Sequence, residues 1–476
     1  MVAVLASAVA SAVALLFFDF YGVHETAGAQ AASRPNILFV MTDDQPKDTM
    51  AAMPQVSRRV RDVGMTLSNA YVSESLCCPS RASILRGQYP HNTGVERNGP
   101  PDGGVQTFRE SGKESVTIAT QLKQSGYSTG LVGKYMNGYD ASYKPPGWSY
   151  WYGRADASIP GNPARENGTL IDYAGGTDNW GDRLDAKAMG YLDRNTDRAS
   201  DGPFALFFWS SQPHLKANDY ADRYDRLYPR ASLPFKRSFN EANVSDKPRW
   251  VRNLGRISED DRSRLDQWRR NQLRSVRQVD DTVGKMLDLL KRRGELDNTY
   301  VVFTTDNSTH MGEHQWFGYH GAKSTPYEEA ANVPMFVRGP GVRSGSASGE
   351  LTLNNDLAPT FARIAGLDPP YFVDGRSLLP VWKQSNTGWR TAILNEWPVG
   401  DSGPIPAYRA SITSRYTYVE YGTNEKEFYD RERDPYELAS KHNDDAYAGT
   451  MMGLSDQLLS LGSCAGAGCR AAENAP

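Results

Sequence analysis

Short, almost wholly apolar runs recur along the chain, and each gives way to polar residues where it stops. Pro35-Asn-Ile-Leu-Phe-Val-Met-Thr42 ends at Asp43-Asp44, and Thr299-Tyr-Val-Val-Phe-Thr-Thr305 ends at Asp306-Asn307. Between them, residues 126–133 run into Lys134, and residues 203–211 precede His214. Runs this short and apolar at every position predict strands buried on both faces, as in a parallel sheet. Leu273, Val276, Val283, Leu287 and Leu290 recur at helical spacing ahead of Gly294, which places a helix before the last of these strands. Open α/β sheets bind ligands beyond the carboxyl ends of their strands, so the four strand-terminal polar groups predict one shared site.

Residues 140–200 and 215–260 are rich in Gly, Pro, Asn, Asp and Tyr and show no clear period, which predicts long surface insertions beside that site. They carry Trp148, Trp151 and Trp180, which either stack on a sugar ring or pack internally. From about Gly375, segments at 391–396 and 408–421 alternate as half-buried antiparallel strands do. The expected organisation is an N-terminal segment over 1–32, an α/β domain over 33–375 with a central, mostly parallel sheet, and a smaller α+β domain over 376–476 with a short antiparallel sheet.

Composition narrows the function. With 476 residues, 39% hydrophobic and 23% charged, the chain is an ordinary globular protein, not a disordered or coiled-coil one. A formal net charge of -3 supplies no basic field, so nucleic acid is not an expected partner. The apolar run from Met1 to Phe18, followed by small residues at 27–32, resembles a secretory signal, although no Lys or Arg precedes it; an uncleaved anchor is the alternative. No later stretch has the roughly 20 apolar residues of a spanning helix, so no stable span is expected in the mature chain. Cys464 and Cys469 bracket a short Ala-Gly-Ala-Gly loop that a disulfide can close in an oxidising compartment; zinc is the poorer reading, with no neighbouring His. Cys77 and Cys78 are adjacent and need another explanation.

Cys77-Cys78-Pro79-Ser80-Arg81, continued by Ala82-Ser83-Ile84-Leu85-Arg86-Gly87 and by Tyr89-Pro-His-Asn-Thr-Gly-Val95, resembles the Cys-x-Pro-Ser-Arg motif of the formylglycine-dependent (type I) sulfatase family, with the Cys-Cys doublet most similar to its N-acetylglucosamine-6-sulfatase branch. The resemblance runs from about residue 34 to 470. It implies an alkaline-phosphatase-like α/β sandwich with a small C-terminal domain, and a Cys77 that a formylglycine-generating enzyme oxidises to formylglycine (3-oxoalanine). The hydrated aldehyde then provides a gem-diol nucleophile that attacks sulfur, and loss of a proton from its second hydroxyl ejects sulfate. Cys78, at the variable position, is expected to be a packed side chain.

Asp43, Asp44, Asp306 and Asn307 are hard-oxygen donors without a His or thiolate among them, a set that suits Ca²⁺ or Mg²⁺ over zinc. The resemblance favours Ca²⁺ over Mg²⁺, held by these four residues together with the modified Cys77. It further implies that Arg81 orients the gem-diol, that Lys134 and Lys323 contact the sulfate, and that His214 protonates the leaving oxygen. His310 is expected at the substrate, whereas His314 and His91 are expected to be structural. One departure stands out. Many sulfatases carry a histidine two residues after the lysine, where this chain has Met136; Asn137 can hydrogen-bond formylglycine or sulfate but cannot accept a proton, which leaves the base for sulfate release open. The expected activity is hydrolysis of the sulfate ester of a sulfated sugar or aryl sulfate, outside the cytosol. A phosphate or phosphonate ester hydrolase of the same superfold and a non-catalytic sulfated-glycan-binding relative are the alternatives.

Overall fold

The computed structural model describes residues 34–171, 179–197, 202–214, 219–318, 322–385, 388–398, 400 and 403–474. The N-terminal segment read as a signal or anchor lies outside the described residues.

Ten strands form the main sheet among these residues: β1 (Asn36–Thr42), β2 (Met65–Leu67), β3 (Ser128–Lys134), β4 (Tyr150–Arg154), β5 (Ala164–Glu166), β6 (Thr169–Ile171), β7 (Phe204–Trp209), β8 (Thr299–Thr305), β9 (Phe336–Arg338) and β10 (Ser346–Ser348). Their spatial order is β10-β2-β9-β8-β1-β7-β3-β4-β5-β6. The central five, from β8 to β4, are mutually parallel, and antiparallel pairings flank them on both sides. This is the alkaline-phosphatase-like sandwich expected from the sequence.

The all-apolar strands are explained by what covers them. Ile37, Phe39 and Met41 of β1 join Phe207, Trp209 and Val302 in one core, while Leu38 and Val40 join Phe208, Val301 and Phe303 in another on the opposite face. The period-two alternation is present, but both faces are dry. The longer helices of the α/β part are α1 (Cys77–Arg86), α2 (Trp180–Asn195) and α3 (Glu259–Arg293), the last of which lies over the second face. Its Ser258–Asp261 capping box and left-handed Gly294 C-cap (φ 77°) delimit 35 residues, about 52 Å at the usual helical rise.

Two expectations about the insertions are corrected. Residues 150–154 are not surface loop: they form β4, parallel to β3. Residues 180–195 are α2, whose Trp180, Leu184, Ala188, Tyr191 and Leu192 bury one helical stripe. Trp148, Trp151 and Trp180 are all buried, so the packing alternative holds; Trp151 Nε1 donates to the Tyr139 hydroxyl at 2.9 Å. The described part of the second insertion stays irregular apart from short turns and the one-turn helix Arg249–Arg252.

The C-terminal strands β11 (Ala392–Trp397), β12 (Tyr408–Thr413), β13 (Tyr416–Tyr421) and β14 (Lys426–Asp430) form an antiparallel sheet in that order, covered by α4 (Ala448–Leu461). A disulfide joins Cys464 to Cys469 just beyond α4. Strand β11 braces the segment that leads into α1: the Glu396 N–H donates to the Ser73 carbonyl (2.9 Å), and Asn395 Nδ2 to that of Val72 (2.8 Å). The loop after β8 is tied down by His314, whose Nδ1 lies 2.8 Å from Glu241 and whose Nε2 lies 3.5 Å from Glu329, an ion-pair distance.

Two outcomes test this packing. Phe207 is fully buried and meets the rings of Phe39 and Trp148, each at 5.2 Å, so Phe207→Ala is expected to cost about 3–5 kcal/mol in chemical denaturation. A loss below about 1 kcal/mol would contradict the packing. Burial and Lys247 pull the His314 pKa down, but Glu241 and Glu329 outweigh them and lift it to about 9. A group raised on folding contributes fully below its unfolded value of about 6.5 and loses that contribution as pH rises through the folded value. Stability should therefore fall between pH 7 and pH 10 by more in the native chain than in His314→Gln; an equal fall in both would refute the buried ion pair.

Candidate active site

The parallel register sets the site. Thr42 of β1 is level with Thr305 of β8, and Met41 with Trp209 of β7, so the residues that follow emerge side by side. The Asp43 N–H donates to the Gln212 carbonyl and the Asp306 N–H to that of Thr42, both at 3.1 Å, which extends the ladder one step past the strands. Asp44 turns out of the sheet with φ 58°, a left-handed conformation uncommon for a side-chain-bearing residue, and its N–H donates to Asp306 Oδ1.

Cys77 is the first residue of α1, and its Sγ lies 3.4 Å from Asp43 Oδ1, 3.8 Å from Asp44 Oδ1 and 2.8 Å from Lys323 Nζ. One turn on, Arg81 is fully buried. Its Nε donates to Asp306 Oδ2 (2.8 Å), Nη2 to Asp43 Oδ2 (3.1 Å) and Nη1 to the Lys134 carbonyl (2.7 Å), while its guanidinium lies 5.3 Å from the Trp209 ring centroid. Lys134 closes on Asp43 Oδ2 and Lys323 on Asp44 Oδ1, each at 2.5 Å. Lys323 is positioned through its neighbours: the Ser324 N–H donates to the Ser75 carbonyl and the His310 N–H to that of Ala322.

Burial alone raises the pKa of a carboxyl, but Lys134 and Arg81 outweigh it and hold Asp43 well below the usual carboxylate range. Burial and the charge on Asp43 push Asp306 up despite Arg81. Burial lowers both lysines, yet Asp43 keeps Lys134, and Asp44 keeps Lys323, firmly protonated. The Cys77 thiol is pushed well up, by burial first and then by Asp43, so as a bare thiol it is a poor nucleophile here.

Three carboxylates thus face three permanent cations. Ligand atoms of Asp43, Asp44, Cys77 and His214 lie within 4.8 Å of one another. Among the described residues Asp44 Oδ2 and Asn307 Oδ1 are buried without a hydrogen-bond partner, whereas Asn307 Nδ2 donates to Asp44 Oδ1 at 2.6 Å. Asp306 is more occupied: its Oδ1 accepts the N–H groups of Asp44 and Asn307, and its Oδ2 accepts from Arg81. Two orphaned hard oxygens among carboxylates fit an alkaline-earth cation and not a soft metal.

A cavity of about 500 Å³ opens from this cluster, lined by Asp43, Lys134, Met136, Asn137 and His214. His214 stands at its mouth, 41% exposed, with Nε2 3.4 Å from Asp44 Oδ2, within ion-pair reach. His310 is placed differently. It is fully buried, with Nε2 2.7 Å from Thr325 Oγ1 and its ring against His314 and Tyr327, and burial takes its pKa down to about 4. His91 joins Glu396 to the Cys464 carbonyl, across the seam with the small sheet. Cys78 is packed, and its N–H donates to Asn98. The sequence reading did not single out Arg154, Asp156, Ser211 and Asp219, which also line the cavity. The end of β4 would have pointed to Arg154 had residues 150–154 been read as a strand.

The description "Sulfatase" matches residues 35–367, and "N-sulphoglucosamine sulphohydrolase, C-terminal" matches residues 312–463. The chain is 34% identical over 373 residues to the extracellular sulfatase SULF-1 homolog of Drosophila melanogaster, covering 77% of this chain but only about a third (32%) of that protein. It is 33% identical over 408 residues to the human N-acetylglucosamine-6-sulfatase, covering 81% of this chain and 71% of the relative. A solved structure of a protein in complex with its substrate D-glucosamine-2-N,6-O-disulfate shares the fold at a TM-score of 0.76 and 24% identity, over 90% of this chain and 97% of the other. By extent of match and by identity, the chain belongs to the sulfatase family, a family of sulfuric ester hydrolases.

Proposed function

We propose that the chain hydrolyses the sulfate ester of a sulfated sugar, such as N-acetylglucosamine 6-sulfate, or of an aryl sulfate, with Cys77 as the nucleophile position after its conversion to formylglycine. The observation that carries this reading is Cys77 at the start of a buried helix, its Sγ 2.8 Å from Lys323 Nζ and 3.4 Å from Asp43 Oδ1. A buried thiol with a raised pKa has little chemistry of its own there. Formylglycine would supply a hydrated aldehyde whose hydroxyl attacks sulfur. The change from sulfur to oxygen also turns a mixed donor set into an all-oxygen one.

Asp43, Asp44, Asp306 and Asn307 are the residues that would hold the cation, Ca²⁺ ahead of Mg²⁺. When bound, that ion supplies Lewis acidity, lowering the pKa of the nucleophilic hydroxyl and neutralising charge on the sulfuryl oxygens. Arg81 holds the Asp43 and Asp306 carboxylates in place, each of its three nitrogens hydrogen-bonded to a protein acceptor. Lys323, beside Cys77, and Lys134, at the cavity wall, present fixed ammonium donors to the sulfate, and donors already oriented need no reorganisation as charge develops. His214, at the mouth, delivers a proton to the departing alcohol. Met136 lines the wall and accepts no proton, and His214 is the one imidazole among the described residues lining the cavity. Once it has protonated the alcohol, His214 is the base within reach for the release of sulfate.

The maturation partner would be a formylglycine-generating enzyme acting on the Cys77 segment. Export from the cytosol is supported by the Cys464–Cys469 disulfide and by the extracellular relative, and no helix among the described residues is long and apolar enough to cross a membrane.

The purified chain is expected to turn over aryl sulfate and N-acetylglucosamine 6-sulfate faster than the matching phosphate esters. Cys77→Ala should retain the native circular dichroism spectrum and lose at least about 10⁴-fold in kcat, as removal of a covalent nucleophile does. Chelation should abolish turnover and added Ca²⁺ restore it. Full activity in chelator would contradict the cation, and residual turnover within tenfold of native in Cys77→Ala would contradict the nucleophile.

A further inference from the structure

The cavity wall beyond the sulfate cluster has a charge pattern of its own. Arg154, at the end of β4, is already spent: Nη1 pairs with Asp219 Oδ2 (3.1 Å), Nε donates to Asn162 Oδ1 (3.0 Å), and the guanidinium lies 4.8 Å from the Trp180 ring centroid. Asp156 has no cationic partner within salt-bridge distance among the described residues. Its Oδ1 accepts from the Ser158 N–H and hydroxyl, and its Oδ2 from the Gly138 N–H. Outside the Lys134–Asp43 cluster the wall therefore sets two carboxylates, Asp156 and Asp219, against one permanent cation, Arg154, which is paired with Asp219; Lys134 also acts on Asp156 from the cluster side. The wall's unused hydrogen-bonding atoms are neutral ones: Ser211 Oγ and Asn137 Oδ1 are buried and have no partner among the described residues.

We infer that this wall selects the sugar: Ser211 and Asn137 hydrogen-bond uncharged ring substituents, hydroxyl or N-acyl, while Arg154, already paired with Asp219, offers no free charge to a second anionic group on the same ring and the Asp156 carboxylate repels it. The inference rests on the proposed hydrolase reading and narrows its substrate class to monosulfated sugars. The physics is a division of labour. The lysine-rich end of the cavity attracts one sulfate, and a second sulfate on the ring would be pressed against carboxylates in a site of low dielectric, where like-charge repulsion is poorly screened. A neutral substituent meets no such penalty and satisfies the two orphaned groups.

The test is kcat/KM on N-acetylglucosamine 6-sulfate and on glucosamine-2-N,6-O-disulfate, with an aryl sulfate as reference. The native chain should favour the monosulfated sugar by about tenfold or more. Asp219→Asn and Asp156→Asn should each shrink that ratio at least about threefold by raising turnover of the disulfate, and Ser211→Ala should slow both sugars about equally. Asp156→Asn keeps the shape of the side chain and an acceptor oxygen for Ser158, giving up only the Gly138 contact, so it decides the matter if Asp219→Asn fails to fold. A native ratio at or below one, or a ratio unmoved by the aspartate changes, overturns the inference. So does cleavage of the aryl sulfate with neither sugar touched, which leaves the hydrolase reading standing. Cleavage of no sulfate ester at all overturns both.

Discussion

Asp43, Asp44 and Asp306 are brought together in the interior by the register of three parallel strands, and three buried carboxylates repel one another strongly at that separation. Arg81 makes the arrangement tolerable. Its guanidinium spans Asp43 and Asp306, is shielded by Trp209, and uses its remaining donor group on the backbone at the end of β3. Because Arg81 lies one turn from Cys77 on α1, the same side chain that offsets the repulsion also fixes the helix carrying Cys77 against the strand ends. Charge balance, helix docking and the placement of Cys77 are therefore one constraint. A fork-shaped, always-charged side chain suits it, and lysine would not serve.

The rest of the fold supports that junction from outside. Strand β11 braces residues 72–75 just ahead of Cys77, and the Lys323 loop is tied to Ser75 on one side and to His310 on the other. The small sheet is thus more than an appendage, since its first strand borders the segment that leads to Cys77. His91, linking Glu396 to the Cys464 carbonyl, carries the same connection towards the disulfide-closed C-terminus.

Much of the site was legible because its residues follow buried strands, and a strand apolar on both faces announces itself in a single run. Asp43, Asp44, Lys134, His214, Asp306 and Asn307 all came from that signal, and parallel register is what turns separate strand ends into neighbours. Strand β4 escaped notice because Tyr150-Trp-Tyr-Gly-Arg154 is short and set among Gly and Pro. Helix α2 escaped for a different reason: its apolar stripe is interrupted by charged residues at every turn, although its spacing is regular. His310 and His314 occupy one loop but have different environments, because each depends on distant partners, Thr325 for one and Glu241 for the other. Nothing local to residues 310–314 encodes those pairings. The acidic side of the cavity wall is hidden for the same reason, since Arg154 and Asp219 meet only in the folded chain.

The central proposal is that the position at the head of α1 works as an oxygen nucleophile and not as a thiol, the buried Cys77 thiol having a raised pKa. It is tested most directly by mass spectrometry of the proteolytic peptide spanning Cys77, taken from enzyme matured in a host with a formylglycine-generating enzyme and assayed in parallel. The account predicts an aldehyde or its hydrate in place of the thiol, in a fraction of molecules that rises and falls with specific activity. A fully active preparation in which every Cys77 remains an unmodified thiol would contradict it.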